Sequence, residues 1–294
     1  MPGTIYLNGR FLDHGDAALD PLDRGVLLGD GLFETIRCEE GQLLYHVGHF
    51  ARLARGARIL EIPWNLSNEE LLALCQQCLD ANNLKHARLR ITLTRGEYFG
   101  SPEISAPGTA PTLLIHAQSL VQETLEAQRA RGWSAHVVNF PINHRSPLAQ
   151  VKSTSYQEHL LARREARRHQ ADEGILLNTD GLLAEGAMSN IFIVRGSEVL
   201  TPPVEDGALP GITRLKVGIV ALRLGIGYRE TSLTLEDLLK ADEAFCTSAI
   251  TEVMPLVMVS GKAIGEGIPG PAAARIFAAL RADVTDYLRA MRRG

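Results

Sequence analysis

The stretch from residue 173 to residue 203, EGILLNTDGLLAEGAMSNIFIVRGSEVLTPP, constrains the fold more than any other part of the chain. Short apolar runs rich in β-branched residues alternate in it with turn residues, and Asp180-Gly181 separates the first two runs. The pattern predicts a strand, an Asp-Gly turn, a second strand and a third strand. Strands joined by such short turns pair antiparallel, so we expect an antiparallel sheet.

The sequence before residue 119 alternates in the same way. TIYLNGRFL contains Asn-Gly and predicts a hairpin, and GLFETIRCEEGQLLYH predicts two strands around a Glu-Gly turn. Helical spacing follows in HFARLARGARILEI and over 67–83, where Ser67 and Asn68 offer a cap. ARLRITLTRG and PTLLIHAQSL predict two strands that flank a loop at 96–111.

The second half mixes the same elements. We expect a helix at 122–131, a strand in WSAHVVNF, helices in SYQEHLLARREARRHQ and GITRLKVGIVALRLG, strands in ADEAFCTSAITEVMPLVMVSGKAIG, and a closing helix in GPAAARIFAALRADVTDYLRAM. The predicted fold class is α+β (α/β in broad terms) with mostly antiparallel sheets. The predicted domains are 1–118, a connector at 119–124, and 125–294.

The composition excludes several classes of protein. The 294 residues are 45% hydrophobic and 22% charged, with a formal net charge of −4, so no basic surface for nucleic acid is expected. The first residues lack the apolar core of a secretory signal. No apolar run approaches the roughly 18 residues of a membrane span, so we expect no membrane partner and a cytoplasmic protein.

The chain has a pair of cysteines and a pair of histidines whose spacing is compatible with a metal or redox site, but their surroundings in the sequence favour a structural role. Cys75 and Cys78 have redox or zinc spacing, but they lie inside a predicted amphipathic helix and no second pair stands at zinc-ribbon distance. We interpret them as packing residues of a reduced protein. His46 and His49 come without a third ligand, so we expect no metal.

Lysine is rare in this chain, with five residues against 25 arginines. One of the five, Lys152, follows a loop with a proline and precedes three small hydroxyl residues and Tyr156. A lysine amine forms Schiff bases with aldehydes and is activated by partial desolvation, whereas arginine is always charged. Lys152 is therefore a candidate for covalent chemistry, and the plain alternative is a solvated surface charge.

Four segments together suggest a cofactor: Lys152 with Tyr156, Glu185, the helix start LPGITR at 209–214, and Arg52. Taken singly, each has a plain structural explanation, as a surface charge, a turn residue or a helix cap. Together, a helix N-terminus and an arginine can bind a phosphate, and a carboxylate can keep a pyridine nitrogen protonated. A tyrosine can donate to a ring hydroxyl. These are the requirements of pyridoxal 5′-phosphate.

The chain resembles the class IV aminotransferases, the fold type IV pyridoxal phosphate enzymes. That family includes branched-chain aminotransferases, D-amino acid aminotransferases and aminodeoxychorismate lyases. The resemblance rests on six motifs in order: LDRGVLLGDGLFETIR, HFARL, VKSTSYQEHLLARREA, DEGILLNTDGLLAEGAMSNIF, LTPPVEDGALPGITR and ADEAFCTSAITEVMPL. It implies a two-domain fold with the active site at the domain interface, and pyridoxal phosphate as the cofactor.

The resemblance also implies roles for single residues. Lys152 is the catalytic Schiff-base lysine, Glu185 pairs with the pyridine nitrogen, and Tyr156 lies at the 3′-oxygen of the ring. Asn190 is expected to be buried and to fix the turn behind Glu185. The cofactor phosphate is assigned to groups on separate segments, namely Arg52, the N–H groups of Ile212 and Thr213, the Thr213 hydroxyl, and the turn of Ser248 and Ala249. Branched-chain enzymes have a phosphate-binding threonine at the position of Ala249, and Ser248 is expected to replace its hydroxyl here.

Three features bear on the reaction. Thr35 stands where aminodeoxychorismate lyases typically have threonine and branched-chain enzymes glycine, so its hydroxyl is a candidate catalytic group, or simply a β-branched strand residue. In TRGEYFGSPEI, residues 98–100 stand where D-amino acid enzymes and some lyases carry a carboxylate-binding arginine. CTSAITEVMPL combines features of both groups. By resemblance, the substrate residues are Phe33, Arg90 and Ile250.

Three functions stay open on this basis. The first is a transaminase that moves an amino group between an amino acid, branched-chain-like or related, and a 2-oxo acid. The second is an aminodeoxychorismate lyase that gives 4-aminobenzoate and pyruvate, and the third is a binding protein that has kept an inactive fold. The resemblance further implies a homodimer with small-molecule substrates.

Overall fold

A computed structural model describes residues 3–97 and 110–292. The chain packs as two compact units. The first contains the described residues of Met1–Leu120 and of Ala290–Gly294 together with Val151–Ser155, and the second contains Val121–Gln150 and Tyr156–Arg289. The short segment that carries Lys152 therefore packs with the N-terminal part of the chain. The domain limits predicted at 118 and 125 stay a prediction.

The described residues of the first unit form six strands, three helices and a 3₁₀ turn. The strands are β1 (Thr4–Leu7), β2 (Arg10–Asp13), β3 (Gly31–Glu39), β4 (Gln42–Leu43), β5 (Ala87–Thr94) and β6 (Thr112–Ser119). The helices are α1 (Arg24–Leu27), α2 (His46–Ile59) and α3 (Asn68–Ala81), and the 3₁₀ turn is His14–Asp16. The strands form one sheet in the order β2-β1-β6-β5-β3-β4, with every pair antiparallel.

Alternation along β3 sorts its side chains between two faces. The even-numbered residues belong to the side that packs against α2 and α3: Leu32, Glu34, Ile36 and Cys38. Phe33 and Thr35 begin the opposite face. Helix α3 starts as its sequence predicts, because Ser67 accepts the backbone N–H of Glu70 while the Glu70 side chain accepts that of Ser67.

The second unit contains a larger sheet. Its strands are β7 (Trp133–Val137), β8 (Glu173–Leu177), β9 (Leu183–Gly186), β10 (Asn190–Arg195), β11 (Glu198–Thr201), β12 (Gly227–Glu230), β13 (Glu243–Ser248), β14 (Glu252–Val259) and β15 (Lys262–Ala263). Its helices are α4 (Gln122–Arg131), α5 (Gln157–Arg168), α6 (Ile212–Arg223), α7 (Leu235–Leu239) and α8 (Pro271–Met291), with a 3₁₀ turn at Val204–Asp206.

The strand order of this sheet is β12-β11-β10-β13-β14-β7-β8-β9, and β15 pairs with β14. Three of its pairings, β11 with β12, β14 with β7 and β7 with β8, are parallel. Side chains of β10 alternate between two apolar clusters, one of which includes residues of α6 and α8. The predicted α+β class is confirmed.

One prediction for the stretch 173–203 is wrong. The turn of Asp180 and Gly181 is present, with Gly181 at φ +80°. The structure has four strands there, β8 to β11, and not three. The chain turns back at Gly196, whose φ is +58°, and a further hairpin forms between β10 and β11.

No helix within residues 3–97 and 110–292 is long and apolar enough to cross a membrane. Over the same ranges, no group of three His, Cys, Asp or Glu side chains could hold a metal ion. Cys75 and Cys78 lie fully buried on α3, and the chain's four cysteines are free. Burial raises the pKa of Cys78 to about 11, so its thiol stays protonated at neutral pH.

Candidate active site

The backbone of Lys152 is fixed beside the start of β3. Its carbonyl accepts the Phe33 N–H at 2.9 Å, and Ser153 forms an antiparallel bridge with Leu32. Thr154 extends this pairing, because its N–H donates to the carbonyl of Gly31 at 2.8 Å. The five-residue segment Val151–Ser155 therefore behaves as a short extra strand that positions the lysine.

The Phe33 ring carries two cations. The Lys152 Nζ lies 4.4 Å from the ring centroid, and the Arg90 guanidinium carbon lies 3.9 Å from it. A cation over an aromatic face gains about 0.5–2 kcal/mol, depending on how far it is desolvated. Three residues that the sequence assigned to catalysis and substrate binding are thus in contact within the first unit.

Thr35 and Arg90 lie in one row of the sheet. Thr35 pairs with Arg90 across β3 and β5, and Arg90 pairs with His116 across β5 and β6. Paired residues of an antiparallel sheet point to the same face, so Thr35, Arg90 and His116 share one face, where the Arg90 Nε donates to the Thr92 hydroxyl at 3.2 Å. Burial, followed by the charges of Arg90 and Arg88, lowers the pKa of His116.

Arg52 makes a bidentate ion pair with Glu34, which was not predicted from the sequence. Its Nε donates to the Glu34 Oε1 at 2.7 Å, and its Nη2 donates to the Glu34 Oε2 at 2.8 Å. The Nδ1 of His49 lies 2.8 Å from the same Oε2. Glu34 is fully buried. The alternation of side chains along β3 was sufficient to predict that it lies on the core face.

Glu185 is held by donors in the second unit. Its Oε2 accepts the Leu209 N–H at 2.9 Å and the Asn190 Nδ2 at 3.3 Å, and its Oε1 lies 3.1 Å from the His159 Nε2. Asn190 also donates to the Leu209 carbonyl at 2.8 Å, so it ties the carboxylate to the loop before α6. Asn190 is buried, as the sequence predicted.

His159 links Glu185 to Tyr156. The two rings stack with 4.3 Å between centroids and 6° between planes, and the Tyr156 hydroxyl donates to the Ala187 carbonyl at 3.2 Å. His159 was not singled out from the sequence. Its spacing of three from Tyr156 at the start of α5 could have indicated that the two rings share one side of the helix.

The start of α6 has the features of an anion site. Gly211 precedes Ile212 and Thr213 without a capping side chain, and the first N–H groups of a helix have no partner within it. An added Cβ at Gly211 would come into severe overlap with the Asn190 Oδ1, at 2.0 Å, so only glycine leaves room for that side chain. Helix α6 packs against β13.

The turn from β13 to β14 contains the remaining predicted residues. The Ser248 hydroxyl is 2.8 Å from the Thr251 hydroxyl and accepts the Thr251 N–H at 3.1 Å, so it stabilises the turn of Ala249 and Ile250. Arg129 of α4 anchors the same turn by donating to the carbonyls of residues 251 and 253. Residues 98–100, which bear on the choice of substrate, lie outside the described residues.

These features together describe a class of enzyme: an α+β chain with a positioned lysine amine, a buried carboxylate held by N–H donors, and a glycine-led helix start. The chain belongs to the class IV aminotransferases, since the model of that family, "Amino-transferase class IV", matches residues 31–259. It is a pyridoxal-phosphate-dependent enzyme of the transaminase class, in a family that also has lyase relatives.

Curated relatives cover almost the whole chain. A D-alanine aminotransferase of Bacillus licheniformis is 32% identical over 94% of this chain and 95% of its own. A putative branched-chain-amino-acid aminotransferase of Methanocaldococcus jannaschii is 36% identical over 88% and 89%. An aminodeoxychorismate lyase of Bacillus subtilis is 33% identical over 87% and 86%. The relatives therefore include both reactions that the sequence left open.

Solved structures agree on the fold. The branched-chain aminotransferase of Escherichia coli has a TM-score of 0.88 at 31% identity, covering 94% of this chain and 92% of its own. A T.th. branched-chain aminotransferase, solved with pyridoxamine 5′-phosphate, has a TM-score of 0.89 at 25% identity, covering 97% and 95%. The fold type inferred from the motifs is therefore confirmed, and pyridoxal phosphate is the cofactor of this family.

The residues present fit that cofactor. The Thr247 hydroxyl on β13 is buried and has no hydrogen-bond partner among the described residues. A buried hydroxyl without a partner costs about 1–3 kcal/mol, and a phosphate oxygen would satisfy it. Thr247 was missed in the sequence because the phosphate-binding hydroxyl was assigned to the neighbouring Ser248, in place of the threonine that branched-chain enzymes have at the position of Ala249.

Proposed function

We propose that this enzyme moves an amino group between an amino acid with a branched-chain-like or related side chain and a 2-oxo acid. The observation that carries the proposal is the pair of cations on the Phe33 ring, the Lys152 amine and the Arg90 guanidinium. Both substrates carry a carboxylate, for which a guanidinium is a strong bidentate donor. By the family resemblance, Phe33 and Ile250 are each assigned to the substrate.

The family and the local geometry support an assignment of the cofactor contacts. We assign the pyridine nitrogen to Glu185 and the 3′-oxygen of the ring to Tyr156. The phosphate is assigned to a group of donors: Arg52, Ile212, Thr213, Thr247, Ser248 and Ala249. Thr247 is added because its buried hydroxyl lacks a partner among the described residues.

Lys152 does the proton chemistry in this assignment. Bound pyridoxal phosphate supplies an aldehyde for covalent attachment and a ring that withdraws electrons from the substrate's α-carbon. With the cofactor bound, the Nζ of Lys152 would accept the proton of that α-carbon as a general base. Glu185 accepts hydrogen bonds from the Asn190 side chain and the Leu209 N–H, and in this position it would hold the proton on the pyridine nitrogen.

The alternative function is an aminodeoxychorismate lyase. Thr35 favours it, because Thr35 pairs with Arg90 on the face of the sheet that begins with Phe33. A hydroxyl there could donate a proton to a leaving group, and transamination has no such leaving group. The Bacillus subtilis lyase is 33% identical to this chain and the Bacillus licheniformis aminotransferase is 32% identical. Sequence identity therefore does not distinguish the two functions.

We further propose a cytoplasmic homodimer. Large apolar side chains are about half exposed in and around α1: Leu22, Val26, Leu27 and Leu28. Such a patch would be covered by a second copy of the chain. The compartment is supported by the four free cysteines, which fit a reducing environment. An active monomer in sedimentation at working concentration would contradict the dimer.

One assay tests the reaction. The purified protein is incubated with a panel of L- and D-amino acids and a 2-oxo acid, and in parallel with aminodeoxychorismate. We expect a new 2-oxo acid from at least one branched-chain-like donor, and none with Lys152→Ala. Release of 4-aminobenzoate as the main product would replace the proposed function by its alternative.

A further inference from the structure

A carboxylate lies among the apolar side chains of the first unit. Glu34 shares its face of β3 with Leu32 and Ile36, and its exposure is 0%. Burial of an ionised carboxylate is strongly unfavourable unless it is paired and hydrogen-bonded. A sequence tolerates such a residue where it serves a function, so the partners of Glu34 indicate what that function is.

The partners are Arg52 and His49, both on α2. Arg52 uses Nε and Nη2 to reach the two oxygens of Glu34, at 2.7 and 2.8 Å. This two-point contact fixes the plane of the guanidinium and its rotation about the side-chain axis. A guanidinium has a second edge, formed by Nη1 and Nη2, with the geometry to bind two oxygens of a phosphate.

His49 completes the arrangement as a neutral donor. Burial opposes ionisation of Glu34, but the charge and hydrogen bond of Arg52, together with the hydrogen bond of His49, lower its pKa to about 2. Burial also lowers the pKa of His49; Glu34 opposes that effect, and the charges of Arg52 and Lys152 add to it. Since an ionised carboxylate can only accept, the hydrogen on His49 must be on Nδ1, which lies 2.8 Å from Glu34.

We infer that Glu34, supported by His49, is a positioning residue that presents Arg52 to the cofactor phosphate. This inference rests on the proposed function, in which Arg52 binds that phosphate. Glu34 and His49 touch neither substrate nor cofactor and act only through Arg52. Glu34 and His49 hold the Arg52 side chain in one orientation. Binding of the phosphate therefore does not have to order that side chain.

The inference predicts a defect that concerns the phosphate alone. Without Glu34, Arg52 keeps its charge but loses its fixed plane, so the protein should hold the phosphorylated cofactor less tightly. Loss of a residue that orients a metal ligand typically lowers metal affinity about 10- to 100-fold, and we expect a loss of the same order for the phosphate here. Binding of pyridoxal, which has the aldehyde and the ring but no phosphate, should stay close to that of wild type.

The chain offers a matched control on the same strand. Glu39 is also buried on β3 and accepts from the Nε of buried Arg37 at 2.6 Å. Glu39→Gln therefore removes a buried carboxylate from another arginine pair, one with no assigned role at the cofactor. A general loss of stability would appear in both variants, but a loss of phosphate recognition only in Glu34→Gln.

The experiment measures the affinities of pyridoxal 5′-phosphate and pyridoxal for the purified chain by visible absorbance, with thermal melting as a check of folding. The variants are Glu34→Gln, Glu34→Asp, His49→Phe, Arg52→Ala and Glu39→Gln. Glu34→Asp keeps the carboxylate but moves it away from Arg52 by the length of one methylene group. It therefore provides a second test of the positioning role if Glu34→Gln fails to fold. We expect the ratio of the two affinities to fall about 10- to 100-fold in both Glu34 variants, and less in His49→Phe.

The outcomes separate this inference from the proposed function. If Arg52→Ala leaves the ratio unchanged, Arg52 does not bind the phosphate and its assignment fails. If Arg52→Ala lowers the ratio while folded Glu34 variants keep it, the assignment stands and the positioning role is overturned. An equal fall in Glu39→Gln would also overturn it, because the effect would then be a general consequence of losing a buried pair.

Discussion

The amine of Lys152 lies 4.4 Å from the centroid of the Phe33 ring, and the backbone N–H of Phe33 donates to the carbonyl of Lys152 at 2.9 Å. One residue therefore holds the lysine through both its backbone and its side chain. The lysine comes more than a hundred residues after Phe33, so the pairing is a tertiary feature. It explains how a flexible side chain can present its amine in one place.

The first prediction is that Lys152 alone forms the covalent bond with the cofactor. The purified protein should absorb visible light, and borohydride should fix the cofactor to a peptide that contains Lys152. Lys152→Ala should bind pyridoxal phosphate only non-covalently and lose nearly all turnover, because both the attachment and the general base are gone. Mass spectrometry of the reduced, digested protein is the measurement.

Lys216→Ala is the control for this labelling. Lys216 lies on α6 and pairs with Asp283 at 3.0 Å, so its loss removes another lysine without touching an assigned cofactor contact. Labelling and turnover should match wild type. Recovery of the label on Lys216, or on any lysine other than Lys152, would contradict the assignment.

The second prediction concerns the charge of Glu185. Glu185→Gln should keep the cofactor bound but lower turnover by at least about 100-fold, because an amide cannot keep the pyridine nitrogen protonated. Glu173→Gln is the control, since Glu173 is a second buried glutamate in the same sheet and burial raises the pKa of its carboxyl. Steady-state kinetics with saturating cofactor should show wild-type turnover in Glu173→Gln. If Glu185→Gln also has wild-type turnover, the Glu185 carboxylate does not act on the pyridine nitrogen.

Much of the fold could be predicted from local patterns. Ser67 and Glu70 start α3 through reciprocal hydrogen bonds between residues three apart, and the turn at Gly181 needs only a glycine with positive φ. Such features depend on neighbours in sequence, so a single sequence contains them. The fourth strand of the stretch 173–203 was missed because the short turn at Gly196 was not separated from the strand before it.

The parts of the site that were missed depend on distant partners. The placement of Ser153 beside Leu32 joins two segments far apart in sequence, and Arg129 reaches the carbonyl of Val253 across 124 positions. No local periodicity indicates such contacts. Glu34 is a different case, because the alternation of β3 does put it on the core face, and a charged residue at a core position was itself the signal.

The third prediction tests the space at the start of α6. In Gly211→Ala the new Cβ would lie 2.0 Å from the Asn190 Oδ1, so Asn190 must move and weaken its bond to Glu185. We expect cofactor affinity to fall about tenfold, as for other losses of a residue that orients a binding group, with little change in melting temperature. The control is Gly15→Ala, where a Cβ would meet no atom within 4 Å. Equal affinities in the two variants would mean that the close approach has no role in binding.

The fourth prediction is a loss of stability in acid. The pKa of Glu34 is about 2 in the folded protein and 4.5 ordinarily, so its ionised form is favoured by folding. Its contribution is therefore fully present above about pH 4.5 and is lost as the pH falls towards 2. Linkage gives that contribution as about 3 kcal/mol. Urea unfolding of cofactor-free wild type and Glu34→Gln at about pH 7 and about pH 3 measures part of that loss, as the change in the difference between their free energies of unfolding.

Glu34→Gln should be less stable than wild type at neutral pH, and the gap should narrow in acid because wild type has then lost part of the same interaction. Asp237→Asn is a useful comparison. The hydrogen bonds of Arg195 and Thr234 lower the Asp237 pKa to about 2 as well, but this side chain is 31% exposed and its ion pair is screened. A gap for Glu34→Gln that does not change with pH would refute the linkage.

The last prediction uses Thr35 to separate the two reactions. In a lyase the leaving group needs a proton, and a hydroxyl beside Arg90 on β3 could supply it; half-transamination needs only Lys152 and the cofactor ring. Removal of general acid help typically costs about 10²–10⁴-fold. If the enzyme is a lyase, Thr35→Ala should lower 4-aminobenzoate formation by that factor and half-transamination far less.

If the enzyme is the proposed transaminase, Thr35→Ala should change only the KM for the oxo acid, by a few-fold, because the side chain is then part of the pocket wall. Thr35→Ser is the matched variant, since it restores the hydroxyl without the methyl group. Rescue by serine of a lost reaction identifies the hydroxyl as the acting group. Small and equal effects in both variants and both assays would remove Thr35 as support for the lyase and leave the transaminase as the function that the Lys152 and Arg90 pair supports.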